Sequence, residues 1–147
     1  CIAYASPNEH EAALLSGLPL KADAHGVDPK DLDAVVQNLR AKGIGKLMIT
    51  LGSNGAILCD GEHKIQVPCV HMPDVKDPTA AGDSFVAAFC TGVAGGLSEE
   101  EALRMAAYTA AITVCGMGAM PSLPTMEQVL ALMKERGELE LANKLSK

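Results

Sequence analysis

The chain has no tryptophan, and only two Phe and two Tyr among its 147 residues. With so few large rings, Ala, Gly, Met and Leu must fill the interior, which suits helices packed closely against a sheet. Positive charge is also short. Twelve Lys and Arg face 18 Asp and Glu, for a net charge of -6, and no basic run occurs. That balance argues against a nucleic-acid partner. It leaves a phosphate ligand open, because backbone N–H groups at a helix start bind phosphate without basic side chains. Long apolar runs are missing too. The longest weakly polar stretches, Val86–Leu97 and Met105–Pro121, fall short of the roughly 18–20 residues that span a bilayer. They read as buried helices, and no membrane partner is expected. CxxC spacing and a nearby His ligand pattern are absent around the five cysteines Cys1, Cys59, Cys69, Cys90 and Cys115. An odd number without such spacing argues against disulfides or zinc and for a reduced, cytoplasmic setting, with Cys90 and Cys115 acting as small hydrophobes in helical sequence. No charged-then-apolar leader is present, so no signal peptide is expected. The chain opens on Cys1, and Ile2–Ala5 reads as the end of a strand, as in a piece cut from an upstream portion.

What is present is the alternation of an α/β domain. Asn8 is a favoured N-cap, Glu9 and Glu11 suit the positive end of the helix it begins, and Gly17 would stop that helix. Leu18–Gly26 reads as loop. Asp28 as N-cap and Pro29 at the first helical position open a second helix, with Leu32, Val35, Val36 and Leu39 as its apolar stripe and Gly43 as its stop. Lys46–Leu51 reads as a buried strand and Gly52–Gly55 as a tight turn. Ala56–Asp60 and Lys64–Pro68 are two further strands across a turn at Gly61-Glu62. Helix followed by buried strand implies a largely parallel sheet, with a local antiparallel hairpin at Gly61. Met72–Thr79 is loop. Three helices follow. One spans about Ala80–Gly95, one starts from the capping box at Ser98 and ends near Gly116, and one runs from Thr125 to about Arg136. Glu138–Lys147 reads as a frayed helical tail.

The stretch that carries chemistry is Asp77-Pro78-Thr79-Ala80-Ala81-Gly82-Asp83-Ser84-Phe85-Val86-Ala87-Ala88-Phe89. A loop of small residues runs into the amino end of an apolar helix. Small side chains allow a ligand close to the backbone, and the first helical turn leaves N–H groups without intrahelical partners. Those donors and the helix dipole favour a phosphoryl group. An Asp placed there would repel the anion, unless it takes a proton from a hydroxyl attacking the transferring phosphate. On the residues alone a second reading stays open: Asp83 merely complements the helix dipole, an effect of about 0.3–1 kcal/mol.

This segment resembles the second signature of the PfkB family of ribokinase-like carbohydrate kinases. Three other stretches are similar to the family's motifs in the same order: Asn8-x-x-Glu11, the strand-end run Thr50-Leu51-Gly52-Ser53-Asn54-Gly55, and Gly118-Ala119-Met120-Pro121-Ser122-Leu123-Pro124. The resemblance covers Ile2 to Arg136. It implies a ribokinase-like three-layer α/β/α sandwich, of which residues 1–147 are the carboxyl-terminal, nucleotide-binding and catalytic part, with the sugar-binding half and lid lying outside them. It further implies ATP-dependent phosphoryl transfer to a primary hydroxyl of a sugar or nucleoside-like molecule. In that scheme Asp83 is the catalytic base, and the main-chain N–H groups of Ala80, Ala81 and Gly82 form the anion hole for the γ-phosphate. Thr50, Gly52, Ser53 and Gly55 lie beside the nucleotide. Asn8 and Glu11 act on Mg²⁺ indirectly, and Asp77 and Thr79 supply oxygens to a monovalent cation such as K⁺. The helical position that often carries Asn or His near adenine falls on Ala107, with Tyr108 adjacent, so apolar contact would hold the base.

Two other readings accompany the kinase. One is a nucleotide-binding or interaction module that phosphorylates nothing, because the acceptor site is missing. The other is self-association through an exposed sheet edge, a homodimer included. His10, His25, His63 and His71 are scattered and read as surface or loop residues. Met105, Met117, Met120, Met126 and Met133 read as core filler, and Glu99–Glu101 as a solvated helix start. Nothing near Cys115 marks it as reactive.

Overall fold

The computed structural model describes residues 2–23 and 26–146, in two compact units, Cys1–Cys69 and Val70–Lys147. Cys1, Ala24, His25 and Lys147 lie outside the described residues, so the reading of His25 does too.

The first unit opens with β1 (Ile2–Ala5) and α1 (Glu9–Ser16). Asn8 caps α1 in a full capping box with Glu11, and Gly17 ends it at φ 73. Where a loop is expected, β2 (Ala22–Asp23) and β3 (Gly26–Val27) form a small antiparallel pair. Two residues per strand are too few to leave an alternating pattern in the sequence. Helix α2 (Pro29–Ala41) begins where Asp28 accepts the Lys30 N–H at 2.8 Å. Its stripe Leu32, Val35, Val36 and Leu39 is at most 3% exposed. These positions fall one helical turn apart and so share a face.

That face packs on β4 (Ile44–Thr50), where Leu47 and Ile49 alternate inward, and on Ile57 and Cys59 of β5 (Ala56–Cys59). Burying each of these side chains contributes about 1.5–3 kcal/mol. The sheet is completed by β6 (Lys64–Val67) in the order β1-β4-β5-β6. Strand β1 runs parallel to β4, while β4–β5 and β5–β6 are antiparallel. The sheet is therefore mixed, and antiparallel pairing begins one hairpin before the Gly61 turn. At that turn Asp60 accepts the N–H groups of Glu62 and His63 at 2.9 and 2.7 Å. The earlier turn, Gly52–Asn54, is a single 3₁₀ turn closed by Gly55 at φ 84. A Cβ on Gly55 would run into the Val67 carbonyl oxygen and sit 2.8 Å from Cys69 N, so only glycine fits there.

The second unit is helical: α3 (Ala81–Ala94), α4 (Glu99–Thr113), α5 (Met126–Glu135) and α6 (Leu139–Leu145). Capping boxes at Ser98–Glu101 and Thr125–Gln128 start α4 and α5. Helices α3 and α4 approach closely at Gly92, where an added Cβ would lie 3.0 Å from that of Ala102. Met105 and Tyr108 of α4 meet Val129, Leu132 and Met133 of α5 and Leu141 and Ala142 of α6 in one core. The tail therefore docks rather than frays. Lys144 reaches Glu101 at 2.8 Å, and Arg104 reaches Glu138 at 3.4 Å.

Two expectations about side chains are corrected. Met105 and Met133 are core, but Met117, Met120 and Met126 are 68%, 83% and 43% exposed: Met117 and Met120 fall in the turn-rich link from α4 to α5, and Met126 is the first residue of α5. Cys90 is exposed on α3, whereas Cys59 is buried in the sheet and its thiol is pushed up to about 11 by desolvation. Among the described residues, no helix is long and apolar enough to cross a membrane.

Candidate active site

The signature loop enters α3 through a strained backbone. Ala80 adopts φ 64 and ψ 5, and among the described residues it is the only non-glycine with positive φ. A left-handed alanine costs on the order of 1–2 kcal/mol, so neighbouring contacts must impose it. Several are visible. Asp77 accepts the Thr79 N–H on Oδ1 at 2.9 Å and the Gly118 N–H on Oδ2 at 3.0 Å. Hydrogen bonds from the Thr79 hydroxyl and N–H, and then from Gly118, hold the Asp77 carboxyl below the usual carboxylate range. The Val114 carbonyl accepts the N–H groups of Lys76 and Asp77 at 2.8 and 3.1 Å. The loop before α3 is thus fastened to the segment that leaves α4.

Beyond Ala80 the first turn of α3 presents its donors. The Ala81 N–H is not among them, since it closes a turn on the Pro78 carbonyl at 3.1 Å. The N–H groups of Ala80, Gly82 and Asp83 have no acceptor among the described residues. Asp83 is exposed, and its carboxylate has no hydrogen-bond or ion-pair partner among those residues. A free carboxylate therefore stands beside free amides at the positive end of a helix. The next residue, Ser84, turns inward. Its hydroxyl donates to the Ala81 carbonyl at 3.0 Å and lies 3.0 Å from Thr113 Oγ1, both side chains being buried. The sequence carries little clue to this pair, since α3 also has Thr91 and α4 also has Tyr108 and Thr109.

The first unit brings two other predicted groups together. Asn8 forms an isolated parallel bridge with Thr50, and the Thr50 N–H donates to Pro7 at 3.2 Å. The Asn8–Glu11 box and the Thr50–Gly55 turn thus share the carboxyl ends of β1 and β4, where open α/β sheets place their ligands. The box uses Asn8 Oδ1 and Glu11 Oε2, at 2.9 Å each, so each side chain keeps a second polar atom. Among the described residues no group of three or more His, Cys, Asp or Glu gathers for a metal. A sparse oxygen set of this kind fits Mg²⁺, which keeps most of its waters and the phosphates it accompanies.

Ala107 and Tyr108 lie on α4 of the second unit. Both are 8% exposed, and Tyr108 belongs to the helical core, where burial raises its phenol. An open depression of about 440 Å³ also exists at the start of β4, the opposite end of that strand from Thr50. Arg40, Lys46, Asp60 and Glu62 give its walls both signs of charge, and none of the sequence-selected residues borders it.

Residues 1–126 match the pfkB family of carbohydrate kinases. The chain belongs to that family. It is 37% identical over 130 residues to a ribokinase of Arabidopsis thaliana, covering 88% of this chain and 33% of that protein. The solved structure of Arabidopsis thaliana ribokinase complexed with ribose and ATP superposes with a TM-score of 0.79 at 37% identity, over 90% of this chain and 41% of that one. Ribokinase from Thermotoga maritima superposes with a TM-score of 0.74 at 33% identity, over 89% of this chain and 42% of that one. The fold is accordingly the ribokinase-like α/β/α class expected from the signature. The chain spans roughly a third to two fifths of the length of these pfkB-family relatives.

Proposed function

We propose that this chain is the nucleotide-binding and catalytic carboxyl-terminal part of a pfkB-type kinase that transfers the γ-phosphoryl group of ATP to a primary hydroxyl of a sugar or nucleoside-like molecule. The observation that carries this reading is the unpartnered Asp83 carboxylate beside the free N–H groups of Gly82 and Ala80. Asp83 takes the proton of the acceptor hydroxyl as its oxygen attacks phosphorus, and ADP departs on the far side. The free amides opening α3 hold the oxygens of the migrating phosphoryl, which carry the charge in the transition state. Ala81 serves by closing the turn on Pro78 rather than by donating to the phosphate.

Thr50, Gly52, Ser53 and Gly55 are assigned to the nucleotide, and Ala107 and Tyr108 to shaping the wall behind adenine. Asn8 and Glu11 would steady Mg²⁺ through water, and Mg²⁺ would neutralise charge on the nucleotide's phosphates. Asp77 and Thr79 are assigned to K⁺. Both Asp77 oxygens already accept an amide, and with the Thr79 hydroxyl also bonded the carboxylate keeps one lone-pair direction to offer. A reduced, cytoplasmic setting fits the free thiols of Cys59, Cys69, Cys90 and Cys115.

The test is Asp83→Asn in the full-length protein, followed by calorimetry with ATP and Mg²⁺ and by turnover on a panel of sugars and nucleosides. ATP binding should stay near the wild-type value while turnover falls by about 10²–10⁴. Unchanged turnover would overturn the base assignment. Wild-type protein that binds ATP and phosphorylates nothing on the panel would favour a nucleotide-binding module.

A further inference from the structure

We propose that Thr113 is a positioning residue for the Asp83 turn, acting through the hydroxyl of Ser84. The inference rests on the reading of Asp83 as catalytic base. Four polar residues are buried among those described: Ser16, Ser84, Thr113 and Ser122. Ser16 and Ser122 satisfy themselves locally, on the carbonyls of Ala13 and Ala119. Ser84 and Thr113 instead meet each other across 29 residues of sequence, with Oγ atoms 3.0 Å apart, and Thr113 is wholly inaccessible to solvent.

Each hydroxyl has one proton. Ser84 gives its own to the Ala81 carbonyl, and Thr113 has both Ser84 Oγ and the Thr109 carbonyl within 3.0 Å. The arrangement that satisfies Ser84 fully runs from Thr113 to Ser84 to Ala81, so the chain of bonds ends on the residue that closes the turn under Ala80. Replacing two buried hydroxyls that bond each other by two apolar groups is close to neutral for stability. Stability alone therefore does not call for the pair. A buried hydroxyl pair fixes one register of two helices, adding direction to the close apolar approach of Gly92 to Ala102.

The pair is one of several ties converging on the exit from α4. The Val114 carbonyl holds Lys76 and Asp77, and the Gly118 N–H holds the Asp77 carboxylate. The loop is thus gripped before and after Ala80. Loosening the later grip would let Asp83 and the Gly82 amide drift relative to one another, at a site where misplacement by about 1 Å costs up to 10²-fold in rate.

The experiment is steady-state kinetics on the full-length protein carrying Thr113→Val, Thr113→Ala, Thr113→Ser, Ser84→Ala and the Ser84→Ala/Thr113→Val double change, with Asp83→Asn alongside. Thr113→Val should lower kcat roughly 10- to 100-fold while KM for ATP stays within about twofold. Thr113→Ser should restore most of kcat, and the double variant should lose no more than the worse single one. Thr113→Ala replaces Thr113→Val in the comparison if the valine protein does not fold. Wild-type kcat in the valine or alanine variant, or losses that multiply in the double variant, would overturn the inference. Those results together with an inactive Asp83→Asn would sink this inference alone, whereas an active Asp83→Asn would remove the reading beneath it.

Discussion

Ala80 is the residue at which backbone and chemistry meet. Its left-handed φ lies between the turn that the Ala81 N–H closes on Pro78 and the free amide of Gly82, and an alanine reaches that conformation only when held. Ala80→Gly would relieve the Cβ clash but add freedom to the unfolded chain, so the two effects should nearly cancel, to within about 1 kcal/mol. Ala80→Val puts a branched side chain where φ is positive and should cost about 2 kcal/mol or more. Urea unfolding of both variants checks the pair, and equal stabilities would contradict the strain. The place of Asp83 in the first turn of an apolar helix was legible from the sequence, because a loop of small residues runs into a helical pattern there. The engaged N–H of Ala81 was not. Backbone angles at a non-glycine residue leave no mark on composition, so the sequence could not tell which of three adjacent amides was already spent.

Elements whose signals are local were read well. Asn8, Asp28, Ser98 and Thr125 cap the helices they were expected to cap, each through a hydrogen bond to an amide two or three residues on. The elements that differed depend on distant chain. Helix α6 has no side-chain N-cap bond, and it is held by Leu141 and Ala142 in the core and by Lys144 on Glu101. The Lys144 ammonium, followed by the Ser98 N–H, pulls the Glu101 carboxyl down to about 2. A depressed carboxyl stabilises the fold above its unfolded pKa of about 4.3 and loses that contribution as pH falls toward 2. Lys144→Ala should raise the Glu101 pKa toward the ordinary range and reduce protection of the α6 amides from hydrogen exchange. Carboxyl NMR titration reads the first effect, and an unmoved Glu101 midpoint would refute the ion pair's part in docking the tail.

On the scale of the whole molecule, the α/β class followed from a buried strand after an amphipathic helix. The share of antiparallel pairing did not, because the short Gly52–Asn54 turn that reverses β4 into β5 reads equally well as a ligand loop. In the proposed kinase the same turn would also lie beside the nucleotide. Nucleotide binding should therefore be felt in global stability. ATP with Mg²⁺ at 100 times its dissociation constant should stabilise the full-length protein by about 2.7 kcal/mol. Thermal unfolding across an ATP series checks this, and a midpoint that ignores ATP would count against nucleotide binding.

The geometry at Ala80 also bears on the order in which the chain folds. A turn that its own residues disfavour cannot nucleate anything, so it should close late, after α3 and α4 have met. Mutants there should hasten the unfolding limb of a stopped-flow trace and leave the refolding rate nearly untouched. The Ala80 turn would then be the last part of its unit to form and the first to open.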